Sequence, residues 1–224
     1  MGHAVGQFLS HAVGVAISPL ALIAVILIVS APRGRQNALA FVLGWVLAIT
    51  AIFTALLLIS AGAGAEHNGQ PATWVAWFRL TLGVLIALMA LQQLRLSRAA
   101  DPDSLPPRLQ RVREFTTRNC LILGAVLVVA NPKNVMQVAA GAVTTASSTS
   151  HIGGRIGAAA IFVAIASLVV LIPLAVHFLN HTTGAGTLDR WKTWTVRNQY
   201  VIMAVLLALL SAKSLGDGIS GLAS

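Results

Sequence analysis

The chain reads as an all-α polytopic membrane protein of six transmembrane helices, arranged as two inverted three-helix repeats with broken helices 1 and 4. Three observations predict this. Hydrophobic residues make up 57% of the 224 residues and charged residues only 9%, whereas a soluble domain carries about 25% charged residues. Apolar runs of roughly 18 or more residues, long enough to cross a bilayer, recur along it. Finally, a small polar residue followed by proline falls deep inside two of those runs, at Ser18-Pro19 and at Asn131-Pro132. Proline has no N–H and clashes with the carbonyl four residues back, so a helix breaks or kinks there. Serine and asparagine are favoured N-caps, and proline is favoured at the first helical position. Each site therefore reads as the end of one half-helix and the capped start of another.

The elements follow in order. Span 1 covers residues 5–29 and is broken at Ser18-Pro19; span 2 covers 38–60 and span 3 covers 72–94. Span 4 covers 119–143 and is broken at Asn131-Pro132; span 5 covers 156–178, with a possible kink at Pro173, and span 6 covers 199–215. Each approaches the length of about 20 residues that a hydrocarbon core of about 30 Å requires. The chain divides into a first three-helix repeat (1–96), a basic cytoplasmic connection (97–118) and a second, inverted repeat (119–224). Gly34-Arg35 leads into span 2 as Gly154-Arg155 leads into span 5, a short echo between the halves. Three spans per repeat give the halves opposite topology, the plan of many secondary transporters.

The net charge of +9 would suggest nucleic acid in a soluble protein; here the positive-inside rule accounts for it. Arg33 and Arg35 lie between spans 1 and 2, six arginines between spans 3 and 4, and Arg190, Lys192 and Arg197 between spans 5 and 6. The 2–3 and 4–5 connections are nearly free of basic residues. This alternation places the basic connections in the cytoplasm of a plasma-membrane protein and both termini outside. Trp74 and Trp77 then sit near the outer interface, and Trp191 and Trp194 near the inner one. In the long 3–4 connection, Leu109, Val112 and Phe115 recur at helical spacing among arginines. That pattern fits a short basic helix on the inner leaflet or a solvated linker that only sets topology.

Inversion should bring the second half-helices of spans 1 and 4 together near the midplane. Free N–H groups and the positive ends of helix dipoles favour an anion at such a point. Lys133 follows the second break directly, and an ionisable residue at that depth is a functional candidate by default. Asn131, Asn134 and Gln137 lie near it; Lys133 and Gln137, four apart, share a helix face. Ser18, Pro19, Asn131, Pro132, Lys133, Asn134 and Gln137 are therefore the candidate substrate-binding set. The alternative for Lys133 is to snorkel or to satisfy carbonyls of a broken helix. His11 and His177 are possible proton carriers, since histidine titrates near neutrality, or simply hydrogen-bond a neighbour. Arg79, near the outer end of span 3, is placed to snorkel.

All six acidic residues are expected in or near loops, which argues against a carboxylate proton or sodium relay. No Walker, HExxH or GxSxG motif occurs, so neither an enzyme, a metal site nor a cofactor is expected. The single cysteine, Cys120, excludes an intrachain disulfide and the exchanging cysteine pair of a thiol–disulfide carrier.

These residues resemble a known group. Six spans in two inverted triplets, Ser-Pro in span 1 and Asn-Pro-Lys in span 4 are similar to the LysE superfamily of small exporters. The strings ISPLALIAVILIVSAPRGRQNALAFVLGW and ANPKNVMQVAAG, with the basic proline-containing central loop, resemble its GAP family, the peptidoglycolipid-addressing or Sap-like (sulfolipid-addressing) proteins. The resemblance implies export of a cell-envelope glycolipid of glycopeptidolipid or sulfolipid type. It also implies a homodimer working beside lipid-synthesis and lipid-transport proteins. An anionic headgroup would suit the positive midplane site. Two alternatives stand beside this reading: a LysE-type exporter of a small amino acid or anionic metabolite, and a scaffold that recruits synthesis enzymes through the basic loop.

Overall fold

The computed structural model describes residues 2–63, 66–67, 70–71, 73–99, 109, 112–149, 151–179 and 184–223. It is helical throughout, apart from two two-residue strands, β1 (Glu66–His67) and β2 (Gln70–Pro71), paired antiparallel. The helices are α1 (Gly2–Ala16), α2 (Pro19–Val29), α3 (Gly34–Gly62), α4 (Thr73–Ala99), α5 (Thr117–Val129), α6 (Pro132–Ser148), α7 (Ile152–Ala166), α8 (Leu168–Leu179) and α9 (Gly184–Ala223). By length and composition α3, α4 and α9 can each cross a membrane; α1–α2, α5–α6 and α7–α8 are bent pairs, at 47°, 68° and 56°. Counting each bent pair as one span gives up to six.

The first two bends fall at the proline sites, where α2 begins at Pro19 and α6 at Pro132. The third was not expected. Pro173 lies inside α8, yet the chain turns upstream of it, at Ser167. The amides of Val170 and Leu171 both bond Ser167 O, at 3.1 and 3.0 Å. Ala166 O is thereby freed, and the Trp45 indole N–H donates to it at 3.3 Å.

Helix α2 is the innermost element. Nine of its 11 residues are buried, as an all-apolar helix must be when protein rather than lipid surrounds it. It packs on α3, α8 and α9. Helix α6 is polar and also sheathed, with 12 of its 17 residues buried, so its amides and hydroxyls face protein rather than lipid. Large apolar side chains on α3, α4, α7 and α9, such as Leu47, Leu88, Ile161 and Leu209, point outward. That is the inside-out pattern a hydrocarbon solvent permits.

Close crossings rely on small residues. A Cβ on Gly44 would lie 2.0 Å from Leu121 O, and one on Gly124 would lie 2.1 Å from Phe41 O. The backbones of α3 and α5 therefore touch, as small residues allow in membranes. Asn37 meets Phe115 and Thr117, and Trp45 comes against Gly124, so α3 and α5 run parallel. Helices α4 and α9 run antiparallel, the Ser211 and Ser214 hydroxyls donating to Gly83 O and Arg79 O at 2.8 Å each.

Two expectations change. Asp189 and Asp217 lie within α9, because that helix runs through 40 residues where the hydropathy marks only its middle. Asp217 is paired with Lys213 at 2.7 Å, and both side chains are three-quarters buried or nearly so. In the 3–4 connection, most of the basic stretch lies outside the described residues. The part described is a 3₁₀ turn, Val112–Glu114, with Leu109 and Val112 each 1% exposed. This segment docks into the protein core, so it is neither a surface helix nor a wholly solvated linker there. Asn37 Nδ2 donates to Phe115 O at 3.0 Å and anchors it.

Candidate functional site

The first and second breaks meet. Lys133, on the first turn of α6, is fully buried. Its Nζ donates to Gly14 O at 2.7 Å and to Ile17 O at 2.9 Å. Gly14 O is free to accept because the break diverts the Ser18 amide to Ala16 O; in an unbroken helix Ser18 N–H would have bonded it. A cation at a helix C-terminus also meets the negative end of the dipole. Lys133 thus caps the end of α1 from the start of α6.

Its neighbour treats the other break in the same way. Asn134 Nδ2 donates to Leu127 O at 3.1 Å, the carbonyl that residue 131 would have bonded in a continuous α5. Asn131 takes extended backbone angles, and its Oδ1 accepts from Lys133 N at 3.2 Å as an N-cap. Ser18 has N-cap backbone geometry too, but its side chain makes no capping bond. Pro19 and Pro132 occupy the first turns they start.

One turn further along α6, His11 Nδ1–H donates to Gln137 Oε1 at 2.8 Å, and both residues are buried. Ile17 against Lys133 and His11 against Gln137 make α1 and α6 antiparallel. The positive start of α6 therefore faces the carbonyl end of α1. The start of α2, at Pro19, follows two residues after Ile17, while the main packing of α6 in the first pair is on α1. Lys133 joins the positive start of α6 to the freed carbonyls at the end of α1.

Two atoms of this cluster, Asn134 Oδ1 and Gln137 Nε2, are buried with no hydrogen-bond partner. A native structure rarely leaves such groups idle without water, a ligand or a function. The cluster thus offers a lysine amine, a free amide donor and a free amide acceptor, and it contains no carboxylate among the described residues. That chemistry suits an anion carrying hydroxyl or similar groups.

His177 stands apart. It lies on α8, half-buried, with its ring 5.6 Å from that of Phe178, and no hydrogen bond joins it to the Lys133 cluster among the described residues. Sequence reasoning did not find the main-chain acceptors Gly14 O and Ile17 O, nor Trp45 as the cap of α7. Main-chain acceptors leave no residue-type signal, and the pairing of Trp45 with Ala166 spans 121 positions. No group of metal-ligating side chains occurs among the described residues.

Helices with lipid-facing apolar surfaces, three of them broken, and a buried lysine where two breaks meet define a multi-pass helical membrane protein with an internal polar junction. Residues 8–220 match the family described as Sap, sulfolipid-1-addressing protein (SfLAP). The chain belongs to that family, which connects it with lipid at a membrane. No curated protein and no solved structure matches it.

Proposed function

We propose that the protein exports a cell-envelope glycolipid across the plasma membrane, holding an anionic headgroup where the breaks of α1–α2 and α5–α6 meet. The observation that carries this is Lys133, a fully buried lysine whose amine donates to main-chain oxygens, in a chain of the sulfolipid-1-addressing family. Carbonyls are replaceable partners. A sulfate or other anionic headgroup entering the junction displaces Gly14 O and Ile17 O from Nζ. Gln137 Nε2 and Asn134 Oδ1 then bond its polar substituents, while the acyl tails stay in lipid. The chain is not an enzyme in this reading and uses no cofactor.

Six spans in two inverted repeats, of the LysE and GAP type, form the scaffold of this reading. Helix directions support it. Six alternating spans require α1 and α6 antiparallel, α3 and α5 parallel, and α4 and α9 antiparallel, and the contacts run those ways. Exchange of the halves also pairs contacts: α3 on α5 with α1 on α7, and α3 on α6 with α2 on α8, all of which occur. Rocking of one repeat on the other would then open the junction to each side in turn. The basic connections lie in the cytoplasm and both termini outside.

A second reading, export of a small amino acid or anionic metabolite, draws on the compactness of the junction, where Lys133, Asn134 and Gln137 are completely enclosed. One comparison separates the two. Cells lacking the gene are profiled for surface-extractable and total lipid. Loss of one anionic glycolipid from the surface, with retention inside, supports lipid export. Unchanged surface lipid with altered release of a small metabolite supports the second reading.

A further inference from the structure

Charged side chains of α4 and α9 form a second cluster beyond the Lys133 junction. A Cβ on Gly14 would lie 3.1 Å from the Gln137 side chain and 3.1 Å from Leu210 Cδ1, so Leu210 of α9 borders the junction beside Gln137. Lys213 and Asp217 follow Leu210 on the same face of α9, by the spacing of helical neighbours. Arg79 comes to them from α4. Ser214 Oγ donates to Arg79 O at 2.8 Å, and a Cβ on Gly218 would meet Leu80 N at 3.0 Å. His11, bonded to Gln137, lies within the electrostatic reach of Lys213, Asp217 and Arg79. The order along the helices is therefore Lys133, then Gln137 with His11, then Lys213, Asp217 and Arg79. In the alternating topology of the export reading, that order runs from the midplane to the outer face.

The cluster sets two cations against one carboxylate. Asp217 pairs with Lys213 at 2.7 Å, the side chains being 24% and 29% exposed. Arg79 is half-buried and attracted to the same carboxylate, yet its guanidinium has no hydrogen bond or ion pair among the described residues. Its five N–H donors form a fork that fits a sulfate, phosphate or carboxylate. Away from bulk water, charge attracts charge more strongly. Snorkelling accounts for Arg79 alone; it does not account for its convergence with Lys213 at the far end of a polar path that starts at Lys133. We propose that Arg79 and Lys213 form a second anion site, which takes the anionic headgroup of a lipid from the Lys133 junction and holds it at the outer leaflet before release. The ligand and the direction rest on the export reading above. Asp217 is the built-in competitor, pairing with Lys213 and giving way to a headgroup that bonds both cations.

Binding of sulfated galactosylceramide to the full chain in detergent tests this. Unsulfated galactosylceramide is the neutral blank, and sodium sulfate is the free-anion competitor. The comparison is made in the otherwise unaltered chain and again with Lys133→Met, so that the junction does not contribute. Arg79→Gln and Lys213→Gln should each weaken binding of the sulfated lipid several-fold in both backgrounds, with the unsulfated lipid unaffected. Asp217→Asn removes the competitor and should strengthen binding several-fold, a gain that neither misfolding nor a merely structural triad produces. Equal affinity throughout overturns the proposal, as does weaker binding with Asp217→Asn. Sodium sulfate bound as tightly as the sulfated lipid also overturns it, since the site would then take a free anion. Surface lipid separates this site from the export reading. The expected binding changes, with unchanged surface glycolipid in a deletion strain, reject export and keep the anion site. Binding that ignores these substitutions, with surface glycolipid lost in the deletion strain, rejects the site and leaves export in place.

Discussion

The ammonium of Lys133 lies 2.7 Å from the carbonyl oxygen of Gly14, 119 residues earlier in the chain. This contact ties the first broken helix pair to the second. It answers the question that every interruption in a membrane helix raises, namely which group bonds the freed main-chain carbonyls. The other two breaks are answered in kind, by Asn134 at Leu127 O and by Trp45 at Ala166 O.

Removing that cap has a structural consequence independent of transport. Lys133→Met keeps most of the length of the side chain and leaves Gly14 O and Ile17 O without their lysine partner. A buried acceptor left without a partner costs on the order of 1–3 kcal/mol. The variant should unfold at a lower temperature in detergent yet still fold, whereas Lys133→Ala adds a cavity and should lose more. Thermal unfolding of both variants checks the order.

The glycine crossing gives a sharper contrast. Gly124→Ala drives a Cβ to 2.1 Å from Phe41 O, a main-chain atom that cannot swing aside. Overpacking of this kind costs about 1–3 kcal/mol or more. Gly157→Ala, within α7, meets nothing within 4 Å and should stabilise by about 0.5–1 kcal/mol, the helical advantage of alanine. Expression level and unfolding temperature should move in opposite directions for the two.

Trp45→Phe removes the indole donor while keeping most of the ring. It should destabilise by about 1 kcal/mol, the net worth of one hydrogen bond, through the freed Ala166 O. Spectroscopic or proteolytic loosening should centre on the α7–α8 bend, leaving the Lys133 junction intact.

Topology is open to a direct check. Reporter fusions after His67 and after Asp103 should be active on opposite sides, the first outside and the second in the cytoplasm. Activity of both on one side would contradict the alternating arrangement.

Much of the scaffold was legible in the residues, because hydropathy and proline act locally. Pro19 and Pro132 mark the first two bends, and the long apolar runs mark α3 and α4. The third bend was not, because Pro173 drew attention to the wrong turn and the cap of Ala166 O comes from α3. Lys133, Asn134, Gln137 and His11 were legible as polar residues in apolar runs, and they do come together. That Lys133 could satisfy the carbonyls of a broken helix was legible; which carbonyls, Gly14 O and Ile17 O of α1, was not. The sequence pattern suggested two positive helix starts near one another, and gave no sign that Lys133 at the start of α6 would bond the carbonyl end of α1. That choice is made by antiparallel packing, which no local pattern encodes. Asp217 was misplaced because α9 continues well beyond its apolar stretch.

The central claim is that Lys133 engages the headgroup of an exported lipid. The most direct measurement is the ratio of surface to total anionic glycolipid in a deletion strain complemented with Lys133→Met, with membrane protein levels matched to the unaltered chain. The account predicts a low ratio, close to that of the uncomplemented deletion, despite normal protein in the membrane. A ratio equal to that of the unaltered protein would contradict it and leave Lys133 as a cap for α1 alone.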